Sequence, residues 1–208
     1  MVSTEQVSTR RDRKRLETRE RLYESAVELF VERGYDATTM DDIAEKADTA
    51  RRTAFNHFPT KGDIAIEWAN RRRVRAAQAA RAEGSDDGSL FDRLHVYFRE
   101  LAAITEESPT ETRQMTLGWL SAQGPVFNRT WLPQELHSWL DTGKRGGDVE
   151  RDTNTAAASE VLYDVYQGAL FRWMGEKDPE PGRFTQELDT AIGLVLSGIQ
   201  TARGARAR

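Results

Sequence analysis

Residues 38–61 read TTMDDIAEKADTARRTAFNHFPTK, and the caps, breaks and apolar spacing of this stretch decide the fold. Thr39 stands just before Met40, where its hydroxyl can accept from an amide of a first helical turn. Asp42, three residues on, supplies the reciprocal carboxylate of a near capping box. Asp41 and Asp42 also suit the positive end of a helix. Met40, Ile43, Ala44 and Ala47 fall at helical spacing, and Asp48 and Thr49 then form a short polar break. A second helix is expected over residues 50–58, with Pro59 ending it. Two short helices joined by so tight a turn suit a helix-turn-helix, whose second helix enters the DNA major groove.

At about 100° per residue, Ala54 and Phe58 share the inward side of that second helix. Arg52, Phe55 and Asn56 point the opposite way, with Arg51 and Thr53 on the flanks. Arginine can bond guanine O6 and N7 together, and asparagine can do the same for adenine N6 and N7. The Phe55 ring can touch a thymine methyl. His57 and Lys61 fit backbone phosphates, where contacts position the protein without reading sequence, and Thr39 is also placed among the DNA-binding residues. The competing reading is a surface helix with two solvated arginines, and the agreement of caps, turn and face argues against it.

These residues resemble the tetracycline-repressor (TetR) family of ligand-responsive transcriptional regulators. The matching run extends from about Arg19 to Asp63. It takes in Ala26, Leu29 and Phe30, then Gly34-Tyr35, Thr38-Thr39, Asp42-Ile43-Ala44, Ala47, Arg52-Thr53, Phe55, Phe58 and Lys61. The rest of the chain resembles the family only in helical layout and length. Three positions depart from the pattern: Asp48 replaces the usual turn glycine, Thr49 a small apolar residue, and Ala50 the serine or threonine cap. Aspartate tolerates the left-handed backbone better than most residues, and Thr49 can cap one position early.

The chain has 208 residues, of which 38% are hydrophobic and 31% charged, as expected of a soluble protein of one or two domains. No apolar run approaches the roughly 20 residues of a membrane span. The charged N-terminus lacks a signal-peptide core, so a cytoplasmic protein is expected. Zero cysteines exclude disulfides and thiolate metal sites. The formal net charge is -4, but residues 74–208 carry 15 Lys and Arg against 20 Asp and Glu. The acidity therefore belongs to the C-terminal part, and a DNA partner for the N-terminal part remains in play.

Residues 1–15 read as a basic flexible arm. Arg10, Arg11, Arg13, Lys14, Arg15, Arg19 and Arg21 form a positive cluster that either follows phosphates or merely solubilises the chain. Residues 16–62 are expected to form the DNA-binding domain. Its first helix should run from about Glu17 to Arg33, with Leu22, Ala26, Leu29 and Phe30 as its stripe and Gly34 as its stop. Residues 63–208 are expected to form an effector-binding and dimerisation domain. Its helices are placed at about residues 62–82, 90–106, 110–122, 125–141, 153–175 and 183–202, with connectors at 83–89 and 143–148. The run Arg71-Arg72-Arg73-Val74-Arg75 reads as a solvated face or a second phosphate contact. No alternating strand pattern appears, so the fold class is all-α.

Leu170, Leu188, Ile192, Val195 and Ile199 lie on apolar stripes of the last two helices. They serve either a dimer interface or the chain's own core. A single recognition helix binds weakly, whereas a symmetric pair reads two half-sites about one DNA turn apart. The resemblance implies that these helices form a four-helix bundle between two subunits on a palindromic operator. Phe98, Met115, Trp119, Trp131 and Tyr166, with Tyr97, Phe127 and Trp139, are an aromatic supply that lines a small-molecule pocket or fills the core. His95, Gln114 and Gln123 are weaker polar candidates. The resemblance implies a small hydrophobic or aromatic effector whose binding moves the helix containing Trp68 and releases the operator. The alternatives are a constitutive DNA-binding regulator with no effector and a helical enzyme or scaffold on a borrowed fold. Repression and activation use the same head, and the sequence does not separate them. The isolated His57, His95 and His137, with no phosphate-binding glycine loop and no nucleophile elbow, give no catalytic, metal or cofactor site.

Overall fold

The computed structural model of the chain describes residues 10–83, 89–122 and 132–200. The expectations for residues 1–9, the Gly84–Gly88 loop, Gln123, Phe127, Trp131 and the end of the last helix at 201–202 lie outside those residues. Among the described residues are nine helices, as the all-α reading expected. They are α1 (Arg10–Arg33), α2 (Met40–Lys46), α3 (Arg51–His57), α4 (Lys61–Glu83), α5 (Leu90–Glu107), α6 (Pro109–Ser121), α7 (Leu132–Gly146), α8 (Thr155–Gly175) and α9 (Arg183–Ser197). One isolated antiparallel bridge joins Val149 to Gln200. The chain divides into two compact units, one of Met1–Trp68 with Gln114–Ala122 and one of Ala69–Arg113 with Gln123–Arg208. The first unit is thus wider than a head that ends at residue 62.

In the first unit, Leu22, Ala26, Leu29 and Phe30 repeat at three- and four-residue steps along α1 and are buried. Ile43 and Ala44 of α2, Ala54 of α3 and Phe58 are buried as well, and α1 packs on both α2 and α3. Gly34 stops α1 in the left-handed conformation, with φ 91°, which costs glycine no β-carbon clash. Tyr35 turns its ring back to 5.0 Å from Phe30, between centroids. The same ring excludes any side chain at position 118 of α6, where a β-carbon would fall 2.4 Å from it. Gln114 of α6 accepts from the Tyr35 amide at 2.8 Å, a framework role in place of the expected pocket contact. The start of α1 corrects the sequence reading, since the helix begins at Arg10 rather than about Glu17. Residues 10–17 are Arg, Asp, Lys, Leu and Glu with no glycine or proline, so nothing interrupts the helix there. Arg10–Arg15 are therefore helical and not part of a flexible arm.

The second unit is built on α5, α7, α8 and α9. Ser89 caps α5 by accepting from Asp92 N at 3.2 Å, and Asn154 caps α8 by accepting from Ala157 N at 3.1 Å. The N-terminus of α9 is capped from another helix. Glu106 of α5 accepts from the Phe184 amide at 2.9 Å and from the Thr185 hydroxyl at 2.6 Å, placing a carboxylate at the positive helix end. The expected connector at 143–148 begins late, because α7 continues through Gly146. Gly143 packs too closely on Leu90 for any β-carbon, so it is a contact glycine rather than a break.

Leu170, Leu188 and Ile192 are also corrected. They are buried in this chain's own core, with Val195 and Ile199 partly buried against it. The stripe of α9 packs on α5 and α8 of the same chain, which leaves those three residues nothing to offer a partner. The outward apolar residues of the two helices are Val161, Phe171 and Leu194, the last 71% exposed.

Candidate nucleic-acid interface

Both halves of the α2 capping box are present. Asp42 N donates to the Thr39 hydroxyl at 3.1 Å, and Thr39 N donates to the Asp42 carboxylate at 2.8 Å. The Thr39 hydroxyl, which also donates to the Asp42 carboxylate at 2.5 Å, and then the Thr39 amide hold that carboxyl below the usual aspartate range. The turn that follows is made by Asp48, whose φ of 46° places it where the sequence pattern calls for glycine. Thr49 does not cap α3. Its hydroxyl donates back to Ala47 O at 3.1 Å, and Ala50 stands at the N-cap with no side-chain bond. A left-handed aspartate and an uncapped start are local costs that the packing of α3 must offset.

That packing is through Ala54 and Phe58, both fully buried. Arg51, Arg52, Phe55 and Asn56 are exposed on the opposite side, while Thr53 and His57 are half-buried. Arg51 is partly engaged. Its Nε lies 3.0 Å from Asp41 and its guanidinium 5.5 Å from the Phe55 ring centroid. The C-terminal end of α3 is clamped by Arg19, which lies 4.0 Å over the Phe58 ring, donates to the His57 carbonyl at 2.5 Å and pairs with Glu67 of α4. Arg19 is therefore a framework residue and drops out of the phosphate-following cluster. Lys61 is corrected in the same way. Its ammonium donates to Tyr35 O at 2.7 Å and Thr38 O at 3.0 Å, so it holds a turn of its own unit and not a phosphate. His57 is held below the ordinary histidine range by burial first, then by Arg19 and Arg15.

The arginine run of α4 divides between a solvated, acid-paired face and one buried arginine. Arg72 is buried, with Thr105 and Thr112 as hydroxyl partners, whereas Arg73 pairs with Glu135 and Arg75 with Glu107. The expected pocket residues do not form one cluster. Phe98 and Tyr166 are core neighbours in the second unit, 6.5 Å between centroids. Met115 is buried in the first unit, where Trp119 also belongs. Sequence reasoning named Tyr97 only for its ring and did not show that aromatic side chains of the second unit bury polar donors. The Tyr97 hydroxyl and the Trp173 indole nitrogen both lack a hydrogen-bond partner among the described residues. Both belong to an aromatic series running Trp139, Tyr97, Phe98, Tyr166, Phe184, Trp173. Among the described residues, no helix is long and apolar enough to cross a membrane.

The arrangement up to Glu67 is one that known proteins share. The model of the family described as "Bacterial regulatory proteins, tetR family" matches residues 22–67. The transcriptional repressor KstR of Mycobacterium tuberculosis is 22% identical over 187 residues, covering 89% of this chain and 84% of its own. The transcriptional regulator TcmR of Streptomyces glaucescens is 43% identical over 56 residues, 27% of this chain and 25% of its own. Among solved structures, Thermus thermophilus FadR, a TetR-family transcriptional repressor in complex with lauroyl-CoA, superposes with a TM-score of 0.69. It is 26% identical and covers 88% of this chain and 95% of its own. A matched head, repressors similar along most of the length and a shared all-α architecture converge, and this chain belongs to the tetR family of DNA-binding transcriptional regulators, which are not enzymes.

Proposed function

We propose that the chain is a repressor that binds a palindromic operator as a homodimer in the cytoplasm and releases it when a small molecule enters the second unit. The observation that carries the DNA half is the division of α3, with Ala54 and Phe58 buried and Arg52, Phe55 and Asn56 exposed. In this reading Arg52 reads guanine, Asn56 adenine and Phe55 a thymine methyl, while Arg51, Thr39, Thr53 and His57 hold the backbone. The dimer face is the outward side of α8 and α9, around Val161, Phe171 and Leu194. Apolar side chains this exposed on adjacent helices are what a symmetric partner covers.

The effector half rests on the second unit's buried chemistry. A buried donor without a partner costs about 1–3 kcal/mol, and Tyr97 and Trp173 each present one. A mainly apolar molecule with a hydrogen-bond acceptor would pack on Phe98 and Tyr166 and satisfy those donors. FadR's complex with lauroyl-CoA is in keeping with an amphipathic effector. The signal has a covalent route, because α4 and α6 each contribute residues to both units. A roughly hundredfold preference for the released shape would supply about 2.7 kcal/mol of coupling.

The test is selection of bound duplexes from a random pool, followed by a screen for compounds that raise the melting temperature and weaken binding to the recovered duplex. A palindrome with half-sites about one helical turn apart and at least one such compound is the expected result. A palindrome with no responsive compound would favour a constitutive regulator. Folded protein that recovers no motif would overturn the DNA reading.

A further inference from the structure

The first turns of α1 and the C-terminal half of α3 enclose a notch lined by Arg11, Asp12, Arg15, Thr53, Asn56 and His57. It opens beside the exposed face of α3, so a duplex read by Arg52 and Asn56 would lay its backbone across it. We propose that this notch holds one DNA-backbone phosphate and that His57 takes up a proton as the phosphate enters. The proposal rests on the DNA-reading assignment of α3 above.

The lining fits an anion in a specific way. Arg11 and Arg15 sit one helical turn apart on the same side of α1 and give two fixed cations. Asn56 and Thr53 give neutral donors, and Asp12 is the single acidic group among the lining residues. His57 is the group whose charge can change. Its surroundings are Arg15 and Arg19 from α1, with Asp12 also at the notch, and Glu67 of α4, which is already paired with Arg19. Cations therefore dominate around the imidazole, and burial adds to them, so it is neutral near pH 7 without DNA. A phosphate in the notch offsets the surrounding cations and so favours the imidazolium. The linkage follows. A group whose pKa is higher in the complex than in the free protein strengthens binding at low pH, and that gain is lost as pH rises through the complex value.

The experiment measures affinity for the selected duplex at several pH values and salt concentrations, with calorimetry in two buffers of different ionisation enthalpy to count protons. Wild type should bind on the order of tenfold more weakly at pH 7.5 than at pH 6.0, with net proton uptake. His57→Gln should abolish the uptake and flatten the pH dependence. It should also lower the salt slope by about 0.9 per protomer at pH 6.0 but not at pH 8. Arg15→Gln keeps the proposal falsifiable if His57→Gln folds poorly. It removes one fixed cation, so it should lower the salt slope at every pH while raising the pKa of free His57 in an NMR titration and reducing proton uptake. Tight binding by wild type with no proton uptake, or uptake undiminished in His57→Gln, would overturn the notch proposal and leave the DNA reading standing. Failure of wild type to bind any duplex would overturn both.

Discussion

The two units solve different problems with the same element, the helix. In the first unit the two seven-residue helices, α2 and α3, leave few choices. Each apolar face is narrow, Thr39, Asp42, Arg19 and Lys61 are spent on caps or clamps, and the side chains proposed to read DNA are among those left outside. In the second unit the helices are richer in apolar residues, and α8 and α9 have apolar residues both facing the core and facing outward. Helices with one apolar face, such as α2 and α3, are read from sequence more directly than helices with two, such as α8 and α9, which conceal which face is core.

The sharpest way to break this comparison is to damage one core at a time. Phe58→Ala should cost about 3–5 kcal/mol in the first unit, and Leu188→Ala about 2–5 kcal/mol in the second. If the units melt as separate cooperative blocks, calorimetry will show each substitution lowering a different transition. A single transition shifted alike by both would mean one block. Leu194→Ala tests the faces directly. It should leave the melting temperature of the monomer nearly unchanged and weaken self-association in sedimentation, where Leu188→Ala destabilises the fold instead. Arg52→Ala should weaken binding to the selected duplex by about 1–3 kcal/mol and relax preference at one position, with no loss of thermal stability.

Smaller effects sharpen the account of the turn. Asp48→Gly should stabilise the first unit by about 0.5–1 kcal/mol, since relief of left-handed strain exceeds the added freedom of the unfolded chain. Asp42 carries the smallest expectation. Its folded pKa is lowered, chiefly by the Thr39 hydroxyl bond. Its contribution is therefore present above the ordinary aspartate value and lost as pH falls through the lower folded value. The acid side of the melting profile should be shallower in Asp42→Asn than in wild type.

How much could be read beforehand follows from the same contrast. The α2 cap at Thr39, the inward pair Ala54 and Phe58 and the stop at Gly34 were legible because each is a local rule acting over one or two turns. The start of α1 was misplaced because a basic cluster suggested a tail, although its residues are good helix formers. Lys61 and Arg19 were legible as charges but not as clamps, since their partners lie 26 and 38 residues away in sequence. Leu188 and Ile192 fitted both a core and an interface, and only the placement of α5 and α8 decides between them. Arg72 was a signal overlooked. It falls on the four-residue step joining Trp68, Arg72, Ala76 and Ala80, all buried.

The clamp made by Arg19 has one more consequence. By tying the His57 carbonyl, the Phe58 ring and Glu67 together, it fixes the pose of α3 from its far end and leaves positions 52, 55 and 56 outside the framework. The reader and its alphabet are thus separate parts. Exchanging those three letters should rewrite which operator is recognised while the fold stays blind to the change, so new specificities are a short mutational walk away.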